Sequence, residues 1–358
     1  MYIYIHIPFC TSICSYCDFP KVLYCKKFIN KYLSSLKNEI LSRYKGEVVK
    51  TIYIGGGTPT SLDYYELKEL LEITNIFNKE ENIEFTIESN IESLDLNKIK
   101  LFLNYGVNRI SLGVQSFDSD ILKELNRYHS KDDVVKVIDN LKKHGINNIS
   151  IDLIYGVNED INVVKKDLDL FLDIDIPHIS LYSLIIEDNT IFGINNRKYI
   201  NEDIDYEMYK YIENTLINNN YIHYEVSNYT KDGYQSIHNL NYWNNGYYYG
   251  FGMGAVSYID NYRIINTKNL NKYLRDNYLD NIINEDIKTR MSNDLILGLR
   301  KTNGVNIIDF NNKYNVDIFS LYNIKNLIKD GKLMVSGNYL YINSKYFYLA
   351  NEILLNFI

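Results

Sequence analysis

One tryptophan, four prolines and four cysteines are all that 358 residues supply of these types, and there is neither a long apolar run nor an excess of basic charge. Each shortage removes a class of protein. No stretch approaches the ~18 consecutive apolar residues of a membrane span. Lys and Arg number 38 against 45 Asp and Glu, a formal charge of −7, which argues against nucleic acid or an anionic membrane as the main partner. The opening residues MYIYIHIPF carry no basic segment and no small-residue cleavage site, so the expectation is a cytoplasmic protein without a secretory signal. There the few cysteines stay reduced, which excludes a disulfide scaffold. What the chain has in plenty is tyrosine, 35 residues. With the many Asn, Ile and Lys this looks like an AT-rich coding bias, so single tyrosines carry little weight. Hydrophobic residues at 46% and charged residues at 23% are ordinary for a globular protein with a full-sized core.

The first two thirds repeats one pattern of a short apolar run, a turn and a helix-period stretch. The runs are YIYIHI from Tyr2, TIYIGGG from Thr51, IEFTIES from Ile83, RISLGVQS from Arg109, ISIDLIYG from Ile149 and ISLYSLII from Ile179. They read as buried parallel strands, with helices such as KKFINKYLSSLKNEILSRY between them. Gly106 and Gly145 stand where two of those helices should stop. Six strand–helix units predict an α/β fold, a three-quarter (β/α)6 barrel, since eight would be needed to close it. The barrel is expected over 1–262, its last part irregular, with a connecting segment at 263–285. A small winged-helix-like domain is expected at 286–358, from three short helical stretches followed by the hairpin KLMVSGNYLYIN.

The cysteines are clustered. Cys10, Cys14 and Cys17 fall in FCTSICSYCDF, Cys25 follows, and none comes later. Three thiolates at C-x3-C-x2-C after a strand can hold three corners of a four-iron cluster and leave one iron open. The competing reading is zinc with His6 or an Asp as fourth ligand, but structural zinc sites usually come as paired C-x2-C units, and no second pair exists. Cys25 reads as a bystander at the start of the first helix.

That spacing, followed by an aromatic and preceded by the first strand, resembles the radical S-adenosylmethionine superfamily. YIHIPFC from Tyr4, GGGTPT from Gly55, IES around Glu88, SLGVQSF from Ser111, NRYHS from Asn126 and IDLIYG from Ile151 resemble, in order, its oxygen-independent coproporphyrinogen III oxidase-like branch. The resemblance implies one 4Fe-4S cluster on Cys10, Cys14 and Cys17 and S-adenosylmethionine chelating the open iron. It places Tyr4 near the sulfonium, and Gly56, Gly57, Thr58 and Glu88 on the same ligand. Gln115, Arg127 and Asp152 would line the neighbouring pocket. The residue types suit the task, because glycines let backbone approach a ligand closely and a carboxylate at a strand end accepts from an ammonium or ribose hydroxyl.

Two features separate members of that branch. The oxidase resemblance calls for a fourth loop cysteine where this chain has Phe19. HNLNYW, His238 to Trp243, resembles the H-N-x-x-Y-W string of the haem chaperone members, in which the histidine is tied to haem. An imidazole can serve as axial ligand, and Tyr242 and Trp243 could wall a macrocycle. The implied function is haem binding and delivery to a haem-accepting apo-protein, with an electron donor for the cluster; the alternative is the oxidase itself. Dimerisation stays open. His129, His144, His178 and His223 read as ordinary hydrogen-bonded residues, and His6 as orienting backbone near the loop. GFGMGA from Gly250 fits a dinucleotide pattern but lacks a strand–helix frame, so it reads as a tight loop.

Overall fold

A computed structural model describes residues 1–358. Six parallel strands follow one another in space as in sequence: β1 (Tyr2–Ile7), β2 (Val49–Gly56), β3 (Lys79–Asn90), β4 (Arg109–Gln115), β5 (Asn148–Tyr155) and β6 (His178–Ser183). Three short strands extend the sheet. β7 (Ile222–Glu225) and β8 (Asn228–Thr230) continue antiparallel beyond β6, and β9 (Tyr249–Phe251) lies parallel beside β1. The order β9-β1-β2-β3-β4-β5-β6-β8-β7 has no pairing between its ends. The sheet is an open, partial barrel.

Helices α1 (Lys26–Arg43), α2 (Tyr64–Ile73), α3 (Leu96–Asn104), α4 (Lys131–Lys143) and α5 (Ile161–Ile174) connect these strands, and α6 (Glu202–Asn218) leads from β6 to β7. Their apolar faces and the outward side chains of the strands, among them Ile52, Ile54, Phe85, Ile87, Ile110, Leu112, Ile149 and Ile151, form one continuous core. Gly106 and Gly145 follow α3 and α4 at φ +80° and +90°, the left-handed conformation that ends a helix. The inward positions alternate with the apolar ones and are polar: Thr51, Tyr53, Glu84, Glu88, Arg109, Ser111, Ser150, Asp152, His178 and Ser180. Strand period two therefore separates a packed outer core from a polar lumen.

One end of that lumen is the mouth, at the strands' C-terminal ends. The other is closed by α7 (Ile237–Trp243). Residues 263–285, expected as a connecting segment, hold most of a three-stranded antiparallel sheet, β10 (Val256–Ile259), β11 (Tyr262–Asn266) and β12 (Leu279–Asn284). A second hydrophobic cluster, from Leu295 to Phe357, is separate from the barrel core. It joins α8 (Ile287–Gly298), α9 (Ile307–Tyr314) and α10 (Ile324–Lys329) to the short strand β13 (Val305–Asn306) and the hairpin β14 (Leu333–Ser336) and β15 (Tyr339–Ile342). Gly337, at φ +55°, makes the tight turn of that hairpin. No helix is long and apolar enough to cross a membrane.

Candidate functional site

The cysteine loop leaves β1 and is tied down at both ends. Backbone bonds from Val22 N to Pro8 O and from Tyr24 N to Cys10 O, both 2.8 Å, close it at its base. His6 Nε2 meets Pro20 O at 2.7 Å and Nδ1 meets the Tyr4 hydroxyl at 3.0 Å. Both His6 nitrogens are engaged, so His6 orients this loop and does not serve as a fourth metal ligand. Across the mouth, Ser15 N donates to Leu125 O, Phe192 N donates to Ser15 O, and the Asn126 amide donates to Ile13 O at 2.7 Å. Burial pushes the Cys10 thiol up to about 11, helped by Cys17 and Cys14 and opposed by the Thr58 hydroxyl. Ligation by metal would displace those protons. No three His, Cys, Asp or Glu side chains converge on a single-ion centre. Three soft thiols spread along one loop suit the corners of a cluster better than one tetrahedral ion.

Each of the three glycines ending β2 clears space for one neighbour. A Cβ on Gly55 would lie 2.7 Å from the Glu88 carboxylate, one on Gly56 2.5 Å from the His6 ring, and one on Gly57 2.9 Å from Cys10 Sγ. Gly56 also has φ +115°, which side chains avoid. Glu88, on β3, accepts from the Tyr53 hydroxyl and from Gly56 N, both at 2.9 Å. Burial raises its carboxyl to about 7 against those two donors, with Asp152 adding to the rise and Arg109 opposing it.

Gln115 ends β4 at φ +70°, buried and strained, a conformation that a non-glycine residue holds only where its surroundings impose it. Arg127 is also buried. Its guanidinium donates to Asn90 at 3.0 Å, Gly113 O at 2.8 Å and Glu92 at 3.2 Å, so it ties strand ends together beside the cysteine loop. Asp152, on β5, accepts from Ser111 at 3.3 Å, and burial raises its carboxyl. A cavity of about 450 Å³ joins Cys10, Cys14, Cys17, Gly56, Gly57, Thr58, Glu88, Gln115, Arg127 and Asp152, a size suited to one cofactor-sized ligand. Tyr4 stands behind that wall, its ring centroid 6.2 Å from that of Tyr53. The residues fit a three-thiolate cluster with a small polar ligand beside it. Tyr53, Asn90 and Arg109 belong to the site too, although no motif singled them out. Their inward position at period two was the available signal.

His238 is placed elsewhere. It lies in the closed end of the lumen, 1% exposed, with Nδ1 2.7 Å from Thr51 Oγ1 and Nε2 2.9 Å from the Tyr242 hydroxyl. Burial, with Arg109 adding to it, lowers the imidazole to about 3. The Glu84 carboxylate caps α7, accepting from Ile237 N and His238 N at 2.9 Å each. Axial ligation by His238 requires the ring to give up Thr51 or Tyr242. Trp243 faces the C-terminal unit, with the Arg300 guanidinium 5.9 Å from its ring. The remaining histidines are paired as expected, His178 with Ser150 and Tyr224, His129 with Glu92, His144 with Asn140 O and His223 with Glu213. GFGMGA is a packed loop: a Cβ on Gly250 would meet Val256 O at 2.0 Å and one on Gly252 would meet His6 O at 2.4 Å.

A partial barrel with a three-cysteine loop at its mouth defines a radical S-adenosylmethionine protein, and the model of the radical SAM superfamily matches residues 4–170. The curated haem chaperone HemW of Lactococcus lactis is 40% identical over 99% of this chain and 96% of its own length. That of Bacillus subtilis is 34% identical over 98% and 97%. The chain belongs to the HemW family of radical SAM proteins. Among solved structures, the coproporphyrinogen III oxidase HemN of Escherichia coli superposes with a TM-score of 0.88 over 99% of this chain and 89% of that one, at 21% identity, a likeness of fold. Superfamily membership implies a 4Fe-4S cluster and S-adenosylmethionine.

Proposed function

We infer that the protein is a cytoplasmic haem chaperone, carrying haem as cargo to a haem-accepting apo-protein, with one 4Fe-4S cluster on Cys10, Cys14 and Cys17 and S-adenosylmethionine in the adjoining cavity. The observation that carries this reading is the full-length similarity to curated haem chaperones. Phe19, 61% exposed at the cavity rim, supports it, because the resemblance to the oxidase calls for a cysteine at that position. When bound, the cluster and S-adenosylmethionine supply one-electron chemistry, for which an external electron donor is needed. The chain's own part is to present three thiolates, to offer Glu88 to an ammonium or ribose hydroxyl, and to let the backbone of Gly56 and Gly57 approach the ligand. Thr58 completes that wall and Tyr4 backs it through Tyr53, while Gln115, Arg127 and Asp152 shape its far side.

The test is anaerobic reconstitution followed by two incubations, one with haemin and one with coproporphyrinogen, S-adenosylmethionine and a reductant. About four irons per chain, a bound-haem absorption band and transfer of haem to an apo-protein are expected, without protoporphyrinogen. Sustained decarboxylation with no haem binding would overturn the reading in favour of the oxidase.

A further inference from the structure

Two inward stripes run the length of the lumen on neighbouring strands. On β2 they are Thr51, Tyr53 and Gly55; on β3 they are Glu84, Thr86 and Glu88, with Thr51 opposite Glu84 and Tyr53 opposite Thr86. Each stripe has one end at the closed floor and one at the mouth. At the floor, Glu84 holds the N-terminus of α7 and Thr51 holds the His238 ring. At the mouth, Gly55 makes room for the Glu88 carboxylate. Tyr53 joins the two ends: its ring lies against His238, centroids 5.1 Å apart at 31°, and its hydroxyl donates to Glu88. On its far side the His238 ring is set edge-on to Tyr242, centroids 4.9 Å apart, and Tyr242 in turn packs on Tyr248 at 4.6 Å.

We propose that His238 is a positioning residue for the S-adenosylmethionine site and not an axial haem ligand: fixed in the barrel floor by the HNLNYW helix, it sets Tyr53, which holds Glu88 in place. The geometry gives three residues of the string a task. His238 is the contact with Tyr53, Tyr242 fixes the His238 ring, and Trp243 faces Arg300 of the C-terminal unit. A buried ring with both nitrogens paired has one orientation, because turning it leaves a polar atom unsatisfied in the interior. Tyr53 has no such freedom either, packed between His238 and Tyr4. A displacement of α7 is therefore felt at Glu88 through two rigid rings.

The inference rests on reading the cavity as the S-adenosylmethionine site, and the experiment separates the two. Reconstituted full-length protein is titrated with S-adenosylmethionine while the cluster spectrum is followed, and separately with haemin. His238→Ala should weaken the S-adenosylmethionine response roughly tenfold, within the range for residues coupled by contact, and leave haemin affinity unchanged. Tyr53→Phe should weaken it by a similar factor. The double variant should be no worse than the weaker single one, a non-additivity that a general loss of stability does not produce. His238→Gln, which keeps a polar partner for Thr51 or Tyr242, should recover part of the response and serves where His238→Ala fails to fold. Loss of haemin binding with an intact S-adenosylmethionine response would make His238 a haem ligand and overturn the proposal alone. An unmutated protein whose cluster ignores S-adenosylmethionine would remove the reading beneath it.

Discussion

The mouth and the floor of the barrel are lined by the same strands, yet they treat polar groups in opposite ways. At the mouth, thiols and carboxylates face an open cavity: Glu88 receives two hydrogen bonds and still borders the space, and Cys10, Cys14 and Cys17 lie along its edge. At the floor, the Glu84 carboxylate and both nitrogens of His238 are matched to partners within the chain, with Ser150 and His178 paired nearby. Polar residues in a lumen are thus of two kinds. Those with bonding capacity facing a cavity are available to a ligand, whereas those fully paired and enclosed hold the barrel's shape. By that criterion the cysteine loop is a binding element and His238 is held like the enclosed residues, whereas Asn239, one position further along the same string, borders the cavity.

The largest effects should separate the two ends. Replacing any of Cys10, Cys14 or Cys17 by Ala should abolish the cluster, lowering bound iron from about four per chain to near zero, while the unliganded chain keeps its denaturation midpoint. Cys25→Ala, which removes a side chain that caps no helix donor, should leave iron content unchanged. Glu84→Ala should do the reverse. It orphans the buried His238 N–H and the part-buried Ile237 N–H at the start of α7, a loss of about 1–3 kcal/mol, read as a shift of the denaturant midpoint. Iron content measured on the variant that remains folded should stay near four.

How much of this was legible in the sequence differs between the two ends. All six barrel strands were visible as apolar or β-branched runs, since their outward residues must meet helices. The open barrel followed from counting them, and the thiol triplet from its spacing alone. GGGTPT was legible as a close-approach turn, but what its glycines approach, Glu88, His6 and Cys10, is set by pairing between strands and is absent from local sequence. The floor was not legible. HNLNYW reads equally well as a ligand string, because nothing local says that Thr51 and Glu84, more than 150 residues away, pair with the His238 ring and the first N–H groups of its helix, or that Tyr53 packs on that ring. The stretch 263–285 hid its strands for another reason. β12 is exposed along its whole length and so lacks the apolar alternation that marks a strand against a core.

Acidity gives a smaller test of the same contrast. Glu88 has its carboxyl raised to about 7 by burial, faced by Tyr53, Tyr4, Asp152, Arg109, Tyr182 and Tyr242. A folded value above the ordinary one means that the folded state holds the proton more tightly. Its contribution to stability is therefore present at low pH and lost as pH rises from about 4.5 through 7. With Glu88 in its proposed role toward S-adenosylmethionine, binding needs the charged carboxylate and should strengthen over pH 6 to 8. Glu88→Gln should weaken that binding roughly tenfold or more and flatten both dependences. A pH profile unaltered in Glu88→Gln would mean that some other group at the mouth governs it.

The smallest expected effect comes from glycines outside both ends. Gly106 and Gly145 have positive φ like Gly56, but a Cβ on either meets nothing within 4 Å. An alanine there encounters only the intrinsic cost of the left-handed conformation, about 1 kcal/mol. Gly106→Ala and Gly145→Ala should each lower stability by that amount and leave iron content and the S-adenosylmethionine response alone. Gly55 has the opposite character, with no positive φ and a neighbour, the Glu88 carboxylate, at 2.7 Å from any added Cβ. Gly55→Ala must therefore push Glu88 away from the Tyr53 hydroxyl and Gly56 N, and its loss should appear in ligand binding more than in the denaturation midpoint. Equal behaviour of Gly55→Ala and Gly106→Ala in the cofactor titration would mean that the placement of Glu88 does not matter to the mouth, and the distinction between its two ends would fail.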